Sequence, residues 1–237
     1  MADIKQIVLV LIGCAVLIAG LLYLTTRETQ APQLLLNDDG SVIELEAPLS
    51  PEAIAENEQL AIKNTMNPVA VFTTSKGVFE LELYADQMPI TTGNFMTLIG
   101  EGFYDGMKFH RIIDGFMIQG GDPNSKGDDS SIYGTGGPGF TIQDEFVEGE
   151  LLTNTRGSIS MANTGQPNSG GSQFFINTVD NLALDFDKQP FTSKHPVFGR
   201  IVSGMDIIDI VSSVETGPRD LPVEPVVIES VTIKAEG

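Results

Sequence analysis

One guanidinium stands among large apolar side chains in the stretch KFHRIIDGFMIQGGDP, residues 108–123. In an extended strand, Phe109, Arg111 and Ile113 share one face, and His110 lies on the other. An arginine stays protonated at physiological pH and presents its N–H donors in one plane. The residue types therefore indicate a permanently charged hydrogen-bond donor beside an apolar surface.

Other kinds of reactive site lack their sequence signatures. The Gly-rich segment 134–139 has no Lys-Ser/Thr pair of a P-loop. Ser172 lies in GGSQF, which does not fit the Gly-x-Ser-x-Gly pattern of a hydrolase nucleophile. The chain has 2 His and 1 Cys, too few for a metal site built from these residues. Its clustered acids lack EF-hand spacing and favour a solvated acidic face over a calcium site. We predict no metal and no cofactor.

The charge composition limits the kinds of molecule that the protein is expected to bind. The 237 residues include 13 Lys plus Arg and 32 Asp plus Glu, for a formal net charge of −19. Such an acidic chain does not match the phosphate backbone of DNA or RNA, so no nucleic-acid partner is predicted. Repulsion between like charges favours a soluble body that stays monomeric.

The N-terminal segment 6–26 contains no charged side chain. As a helix rising about 1.5 Å per residue, it is long enough for the roughly 30 Å hydrocarbon core of a bilayer. We interpret residues 1–27 as an uncleaved transmembrane anchor, with a cleaved signal peptide as the alternative. Lys5 before the span and Arg27 paired with Glu28 after it favour a single-pass protein with its remainder outside the cytoplasm.

Residues 28–66 form an acidic segment interrupted by prolines, which we interpret as a stalk or linker. Within it, LLLNDDGSVIEL could form a small hairpin about Asp39, and the Ser-Pro pair at 50–51 is typical of a helix start. An acidic solvated spacer is the preferred interpretation of the whole segment. The folded domain is assigned to residues 67–237, where the pattern changes.

The folded domain is predicted to be mainly β with two helices. Alternation on both sides of Gly77 predicts two antiparallel strands within 69–84. Apolar residues at helical spacing predict helices within 88–102 and 204–214. Other short apolar runs, separated by turns, lie at 107–113, 116–120, 140–143, 157–162, 172–177, 196–202 and 225–235. Many short strands with two helices predict a closed antiparallel barrel with helical plugs.

Four motifs, in order along the chain, resemble the signature of the cyclophilin family. They are FHR at 109–111 with the following GFMIQGGD, SMANTG at 160–165, GSQFFI at 171–176 and HPVFGR at 195–200. The resemblance covers residues 68–234, and four ordered motifs are far more specific than any one of them. It implies a closed eight-stranded antiparallel barrel capped by two helices, with peptidyl-prolyl cis–trans isomerase activity.

The implied reaction needs no nucleophile. Resonance sets a barrier of ~18–20 kcal/mol to rotation about the peptide C–N bond, so X-Pro bonds exchange slowly without a catalyst. A hydrogen bond to the prolyl nitrogen favours its pyramidal form, an apolar pocket holds the ring, and a dry site strengthens the donor. The implied substrates are proline-containing polypeptides, in unfolded or flexible segments, so the activity would assist protein folding.

The resemblance also assigns roles to individual residues. Arg111 is the donor, Gln119 steadies Arg111 or the substrate carbonyl, and Asn163 helps to hold the peptide backbone extended. The implied catalytic residues are Arg111, Gln119 and Asn163, and the implied substrate-binding residues are Phe116, Met117, Ala162, Phe175, Leu184 and His195.

At Ala183 the chain departs from the many relatives that carry Trp before the pocket Leu. The segment after Leu184 is also longer than in compact relatives, and Phe186 or Phe191 could fill the Trp position. A non-catalytic peptide-binding or chaperone module using the same cleft is the alternative function, and a purely structural barrel is a third. Arg111 favours the enzyme, because binding alone needs no donor at the prolyl nitrogen.

Overall fold

A computed structural model describes residues 35–36, 42–43, 67–189 and 193–234. The chain divides into two compact units, Met1–Ala61 and Ile62–Gly237. In the first unit, strands β1 (Leu35–Leu36) and β2 (Val42–Ile43) pair antiparallel. This pair is what the hairpin interpretation about Asp39 predicts.

The predicted membrane anchor, residues 1–27, lies outside the described residues, as does the helix start predicted at 50–51. In the ranges that the structure describes, no helix combines the length and the apolar character needed to cross a bilayer. The anchor therefore stays a prediction.

An antiparallel sheet of eight strands dominates the described part of the second unit. The strands are β3 (Val69–Thr74), β4 (Gly77–Leu83), β5 (Arg111–Ile113), β6 (Met117–Gly120), β7 (Ser158–Met161), β8 (Phe174–Asn177), β9 (Val197–Ser203) and β10 (Ile228–Ile233). Their order across the sheet is β10-β3-β4-β9-β7-β8-β6-β5. Strands β5, β6, β8 and β7 are therefore consecutive neighbours, which matters for the site.

Alternating side chains place the core on one face of the sheet. In β4, Phe79, Leu81 and Leu83 are fully buried, whereas Glu80 and Glu82 point to the other face. This alternation confirms the half-buried strand predicted from the sequence.

Two α-helices occur in the described residues, α1 (Pro89–Gly100) and α2 (Met205–Ser212). Pro at the first turn suits a helix start, because its missing N–H is not needed there. The first-turn N–H groups of Ile90 and Thr91 donate to the carboxylate of Glu145 at 3.1 and 2.9 Å. This acidic cap satisfies two of the free donors at the helix N-terminus.

Aromatic rings join α1 to the sheet. The ring centroid of Phe95 in α1 lies 5.6 Å from that of Phe174 and 5.1 Å from that of Phe198, both in edge-to-face arrangements. Phe72 and Phe79 stack at 4.7 Å. Such aromatic contacts add to the free energy of apolar burial, so the core holds α1 against one face of the sheet.

The prediction of a closed barrel is wrong, because in the part of the chain that the structure describes no strand ladder joins the two ends of the sheet. Among the described residues, one isolated bridge between Lys108 and Val227 spans the β5 and β10 sides. Strand β5 has only 3 residues, and the register of β10 shifts after Ile228. Because β5 begins only at Arg111, the residues before it do not extend this bridge into a ladder with β10, and the sheet is a half-barrel.

The strand predicted at 140–143 is also wrong. Ile142 forms only an isolated bridge with Gly170. Pro138 lacks the N–H for a ladder, and Gly139 has a φ of 89°, so the chain is not extended on entering this segment. The segment instead lines one side of a cavity.

Candidate active site

A row of side chains crosses four neighbouring strands on the face opposite the core. Arg111 in β5 is the cross-strand partner of Gln119 in β6, and Gln119 is the partner of Phe175 in β8. Phe175 in turn opposes Ser160 in β7. Directly opposed residues of an antiparallel sheet share a face. The structure therefore aligns the predicted donor, the predicted amide and a predicted pocket residue.

Met117 and Phe175 form an apolar patch on this face. Their side chains are only 2% and 5% exposed, yet in the described residues neither belongs to the main core cluster. Met117 lies two residues before Gln119 in the same strand, so both side chains point to one face. Burial outside the core indicates a separate apolar wall beside the row.

The ring of His195 completes this wall. Its centroid lies 5.3 Å from that of Phe175, with the two planes at 82°. The Nδ1 atom of His195 lies 3.1 Å from the carbonyl oxygen of Met161, and because a carbonyl only accepts, Nδ1 carries the proton. Burial lowers the pKa of His195, although the bond to Met161 opposes the shift. Burial therefore favours the neutral imidazole.

Two hydrogen bonds bring Leu184 and Phe116 to the same wall. Leu184 ends the short 3-10 turn Leu182–Leu184, and its carbonyl accepts from the backbone N–H of His195 at 3.1 Å. At the start of that turn, the Asn181 amide donates to the carbonyl of Phe116 at 2.8 Å. Phe116 and Leu184 are both half-buried. The predicted pocket residues are thus tied together through the backbone.

A buried polar network that no sequence motif indicates stabilises the turn Leu182–Leu184. Asp185 is 3% exposed and accepts from Thr153 Oγ1 at 2.5 Å, Asn154 N at 2.8 Å and Asn154 Nδ2 at 2.7 Å. Asn154 Nδ2 also donates to the carbonyl of His195 at 3.1 Å. Buried polar groups are stable when each is hydrogen-bonded, so the network fixes both ends of the pocket wall. Only the Asp directly after the pocket Leu could have hinted at it.

Arg111 is held by a carboxylate that no sequence motif connects to it. Its Nε donates to Oδ2 of Asp220 at 3.2 Å, and the two side chains are 43% and 44% exposed. The amide of Gln119 donates from Nε2 to Oε1 of Gln173 at 3.0 Å. Gln119 thus stands opposite Arg111 in register, while its own hydrogen bond runs to Gln173.

The segment 162–163 borders the row on its other side. The backbone N–H of Ala162 donates to the carbonyl of Gln173 at 3.0 Å. The Asn163 side chain donates to the carbonyl of Lys194 at 2.7 Å and accepts from the N–H of Gly165 at 3.0 Å. Because the side chain of Asn163 already makes these hydrogen bonds, its backbone groups are the ones expected to bind a peptide.

A cavity of about 550 Å³ opens next to this segment. Gln119, Ala162, Asn163 and Gln173 line it on one side, and the Gly-rich stretch 134–141 lines it on the other. Gln119 therefore belongs both to the row of side chains and to the lining of this cavity. The second wall of this cleft is the Gly-rich segment, for which the sequence excluded a P-loop.

His110 precedes Arg111 in the chain and points into the protein. It is 6% exposed, and neither ring nitrogen has a hydrogen-bond partner in the described residues. Burial lowers its pKa to about 4; Asp122 opposes this shift and Arg111 adds to it. A neutral, enclosed imidazole suits a core side chain rather than a general base.

The position that many relatives fill with Trp is occupied differently. Ala183 is exposed, and the ring of Phe186 packs against Phe146 with centroids 5.4 Å apart. Phe191, the other predicted substitute, lies outside the described residues. Phe186, one of the two predicted substitutes, therefore packs against Phe146.

Together, a half-exposed guanidinium, an apolar wall and a cleft bordered by backbone groups define a groove for an extended peptide with a fixed cationic donor. The family model described as cyclophilin type peptidyl-prolyl cis-trans isomerase/CLD matches residues 69–233. The chain belongs to the cyclophilin family, and its activity is that of a peptidyl-prolyl cis-trans isomerase.

Relatives and solved structures agree with this assignment. Peptidyl-prolyl cis-trans isomerase A of Dickeya dadantii is 40% identical over 73% of this chain and 88% of its own length. A bifunctional phosphatase/peptidyl-prolyl cis-trans isomerase of Streptococcus pyogenes is 38% identical over 74% of this chain, but the match spans only 40% of that protein. A cyclophilin-type isomerase of Cryptosporidium parvum, solved in the presence of the dipeptide Ala-Pro, superposes with a TM-score of 0.60 at 28% identity, covering 71% of this chain and 99% of the other. The relatives named as isomerases favour the enzyme over the non-catalytic alternative.

Proposed function

We propose that the row from Arg111 to Phe175 catalyses the isomerisation, with Arg111 as donor to the prolyl nitrogen. The observation that carries the proposal is the register, which puts Arg111, Gln119 and Phe175 side by side on three adjacent strands. A hydrogen bond to the nitrogen withdraws its lone pair from the peptide resonance that creates the rotation barrier. Because Arg111 is always charged, the donor is present at every working pH.

The proposed roles follow the position of each side chain along the groove. Gln119 and Asn163 act with Arg111 on the rotating peptide unit, Gln119 through its amide and Asn163 through its backbone. The proline ring and the flanking backbone contact Phe116, Met117, Ala162, Phe175, Leu184 and His195. Holding the ring while the acyl side turns places the reacting atoms in one orientation, which is a large part of catalysis.

The proposed substrates are proline-containing segments of unfolded or flexible polypeptides. The groove is open to solvent at Arg111, whose side chain is 43% exposed, so a chain can lie across it. The Ala-Pro dipeptide named with the Cryptosporidium structure supports an X-Pro ligand. Faster exchange at such bonds would assist folding, since uncatalysed X-Pro isomerisation is slow enough to limit it.

An exchange assay on the full-length chain tests the donor. The rate of cis–trans exchange in a short peptide with one Ala-Pro bond is measured by NMR for the wild type and for Arg111→Ala and Arg111→Lys. We expect Arg111→Ala to lower kcat/KM on the order of 10²–10³-fold, as for other electrostatic donors. Lys keeps the positive charge but lacks the planar guanidinium. The kcat/KM of Arg111→Lys should therefore lie between those of Arg111→Ala and the wild type. An Arg111→Ala enzyme within twofold of wild type, with unchanged circular dichroism, would disprove the donor role.

We also propose that residues 1–27 anchor the protein in a membrane in a single pass, with the isomerase domain outside the cytoplasm. The support is the uncharged run 6–26 and its length relative to a bilayer. The direction rests on Lys5 before the run, according to the positive-inside rule.

A further inference from the structure

The partner of Arg111 comes from a distant part of the chain. Asp220 lies 109 residues after Arg111, in the short turn Pro218–Asp220 between α2 and β10. Both members of the pair are nearly half exposed. Exposed ion pairs contribute little to the free energy of unfolding. Stability therefore does not account for the placement of a carboxylate on the proposed catalytic donor.

The turn that carries Asp220 has an unusual backbone. The N–H of Gly217 donates to the carbonyl of Leu221 at 2.8 Å, closing a tight loop. Arg219 and Asp220 at its tip have φ values of 64° and 59°, in the left-handed region that L-residues other than Asn and Asp rarely adopt. Non-glycine residues in this region cluster at functional sites, where the surrounding structure holds them in place.

Arg219 is the residue that holds this tip in place. Its Nη2 donates to the carbonyl of Ser130 at 2.6 Å, and its Nη1 lies 3.3 Å from the carbonyl of Ser131. One guanidinium thus docks the tip onto a neighbouring turn, while the adjacent carboxylate reaches Arg111. Asp220 is therefore fixed independently of Arg111 rather than merely following it.

The contact uses Nε of Arg111 and not its two Nη groups. An Arg side chain has many rotamers, and ordering it at the moment of reaction costs entropy. A bond at Nε fixes the guanidinium plane and leaves the two Nη groups pointing onward to donate to a substrate. A cavity of about 340 Å³, lined by Arg111, Gln119, Arg219 and Asp220 among others, lies open at this position.

We propose that Asp220 is a positioning residue, which orients the guanidinium of Arg111 for donation to the prolyl nitrogen. The proposal rests on the proposed function of Arg111. Asp220 does not contact the substrate. It acts on the chemical step and leaves peptide binding largely unchanged, because the apolar wall that binds the ring lies on the other side of Arg111 in the row.

Three substitutions at Asp220 separate the carboxylate from the backbone. Asp220→Ala removes the acceptor and keeps the left-handed backbone unfavourable, whereas Asp220→Gly removes the acceptor and relieves the backbone. Asp220→Asn keeps an acceptor oxygen and tolerates the same φ. We expect Ala and Gly to lower kcat by a similar factor, on the order of tenfold, with KM within about twofold of wild type. Asn should recover much of the lost kcat.

The control is an ion pair outside the groove, with side chains about as exposed as those of Arg111 and Asp220. Arg156 Nη2 and Asp209 Oδ2 are 2.8 Å apart, with side chains 44% and 49% exposed, and they lie outside the groove. Asp209→Ala removes a similar surface pair and should leave kcat at the wild-type value. A second readout is the Nε–H resonance of Arg111 in NMR spectra, which should lose its protection from exchange in Asp220→Ala and keep it in Asp220→Asn.

A double-mutant cycle tests whether Asp220 acts through Arg111. In an Arg111→Ala background, Asp220→Ala should have no further effect on kcat, because the group that it positions is absent. If Asp220→Ala and Asp220→Gly keep wild-type kcat while Arg111→Ala is inactive, the positioning role is wrong and the donor role stands. A rise in kcat on loss of Asp220 would instead identify the pair as a restraint on the enzyme. Wild-type kcat in Arg111→Ala would overturn the proposed function itself.

Discussion

Gln119 and Gln173 are joined by a hydrogen bond of 3.0 Å from Nε2 of the first to Oε1 of the second. Gln173 uses its own Nε2 to donate to the carbonyls of Gly134 and Gly136, at 3.0 and 2.8 Å. A single side chain thus connects the row of groove residues to the Gly-rich wall of the cleft. An amide is suited to this, because it accepts at one end and donates at the other.

Substitution of Gln173 is expected to weaken both connections. In Gln173→Ala, we expect kcat/KM to fall about fivefold, since one net hydrogen bond is worth about 1 kcal/mol. Gln173→Glu can still accept from Gln119 but cannot donate to Gly134 or Gly136. It should therefore raise KM while keeping kcat close to wild type. Steady-state kinetics on an Ala-Pro peptide measure both parameters, and a Gln173→Ala enzyme with wild-type kinetics would contradict this account.

Local patterns in the sequence were sufficient to predict most of the sheet and both described helices. The run 79–83 alternates strictly, and it lies in β4 with the expected buried face. The helix predicted within 88–102 spans Pro89–Gly100. Whether the sheet closes into a barrel could not be predicted, because closure depends on the pairing of two strands that lie far apart in sequence. The strand predicted at 107–113 begins only at Arg111, and this shortening is what leaves the edge open.

Family motifs identified the groove, but not the groups that hold its side chains in place. Arg111, Gln119 and Phe175 follow directly from the motifs, and the register brings them together. Asp220 and Gln173 make their contacts across 109 and 54 residues of sequence. Such contacts leave no periodic signal, because a loop residue and its partner share no element. Only the folded chain reveals them.

The isomerisation rate is expected to be independent of pH between about pH 6 and 9. Burial lowers the pKa of His110 to about 4 and also lowers that of His195, so burial favours the neutral form of both imidazoles. Arg111 stays protonated throughout, and the proposed mechanism uses no general base. Exchange rates measured by NMR at several pH values test this. A titration near pH 6.5 that disappears in His110→Gln or His195→Gln would exclude the base-free mechanism.

His110 is expected to make the fold sensitive to acid. Its pKa is 6.5 in a model peptide and about 4 in the folded protein, because burial disfavours the charged form. Between these values the unfolded chain binds a proton that the folded chain does not, so the free energy of unfolding decreases as pH falls through this window. The loss saturates below the folded pKa, at about 3 kcal/mol.

His110→Leu tests this sensitivity. Its free energy of unfolding, measured by urea denaturation, should fall less than that of wild type between about pH 6.5 and 4. Leu also removes two ring nitrogens that have no hydrogen-bond partner among the described residues, so the variant should remain folded at neutral pH. Parallel pH curves for the two proteins would show that the imidazole is not the cause. The same measurement on His195→Gln shows how much His195 contributes to the pH dependence of the free energy of unfolding, since burial also lowers the pKa of His195.

Residues 1–27 are expected to keep the protein in the membrane fraction of cells, with the isomerase domain on the external side. The uncharged run 6–26 can span the hydrocarbon core, and Lys5 favours a cytoplasmic N-terminus. Protease added to intact cells should release a soluble isomerase by cutting within the acidic stalk, residues 28–66. A variant without residues 1–27 is the control and should be soluble and active. Protection of the domain until lysis would reverse the orientation, and a soluble form that begins near Ala31 would show that the segment is a cleaved signal peptide.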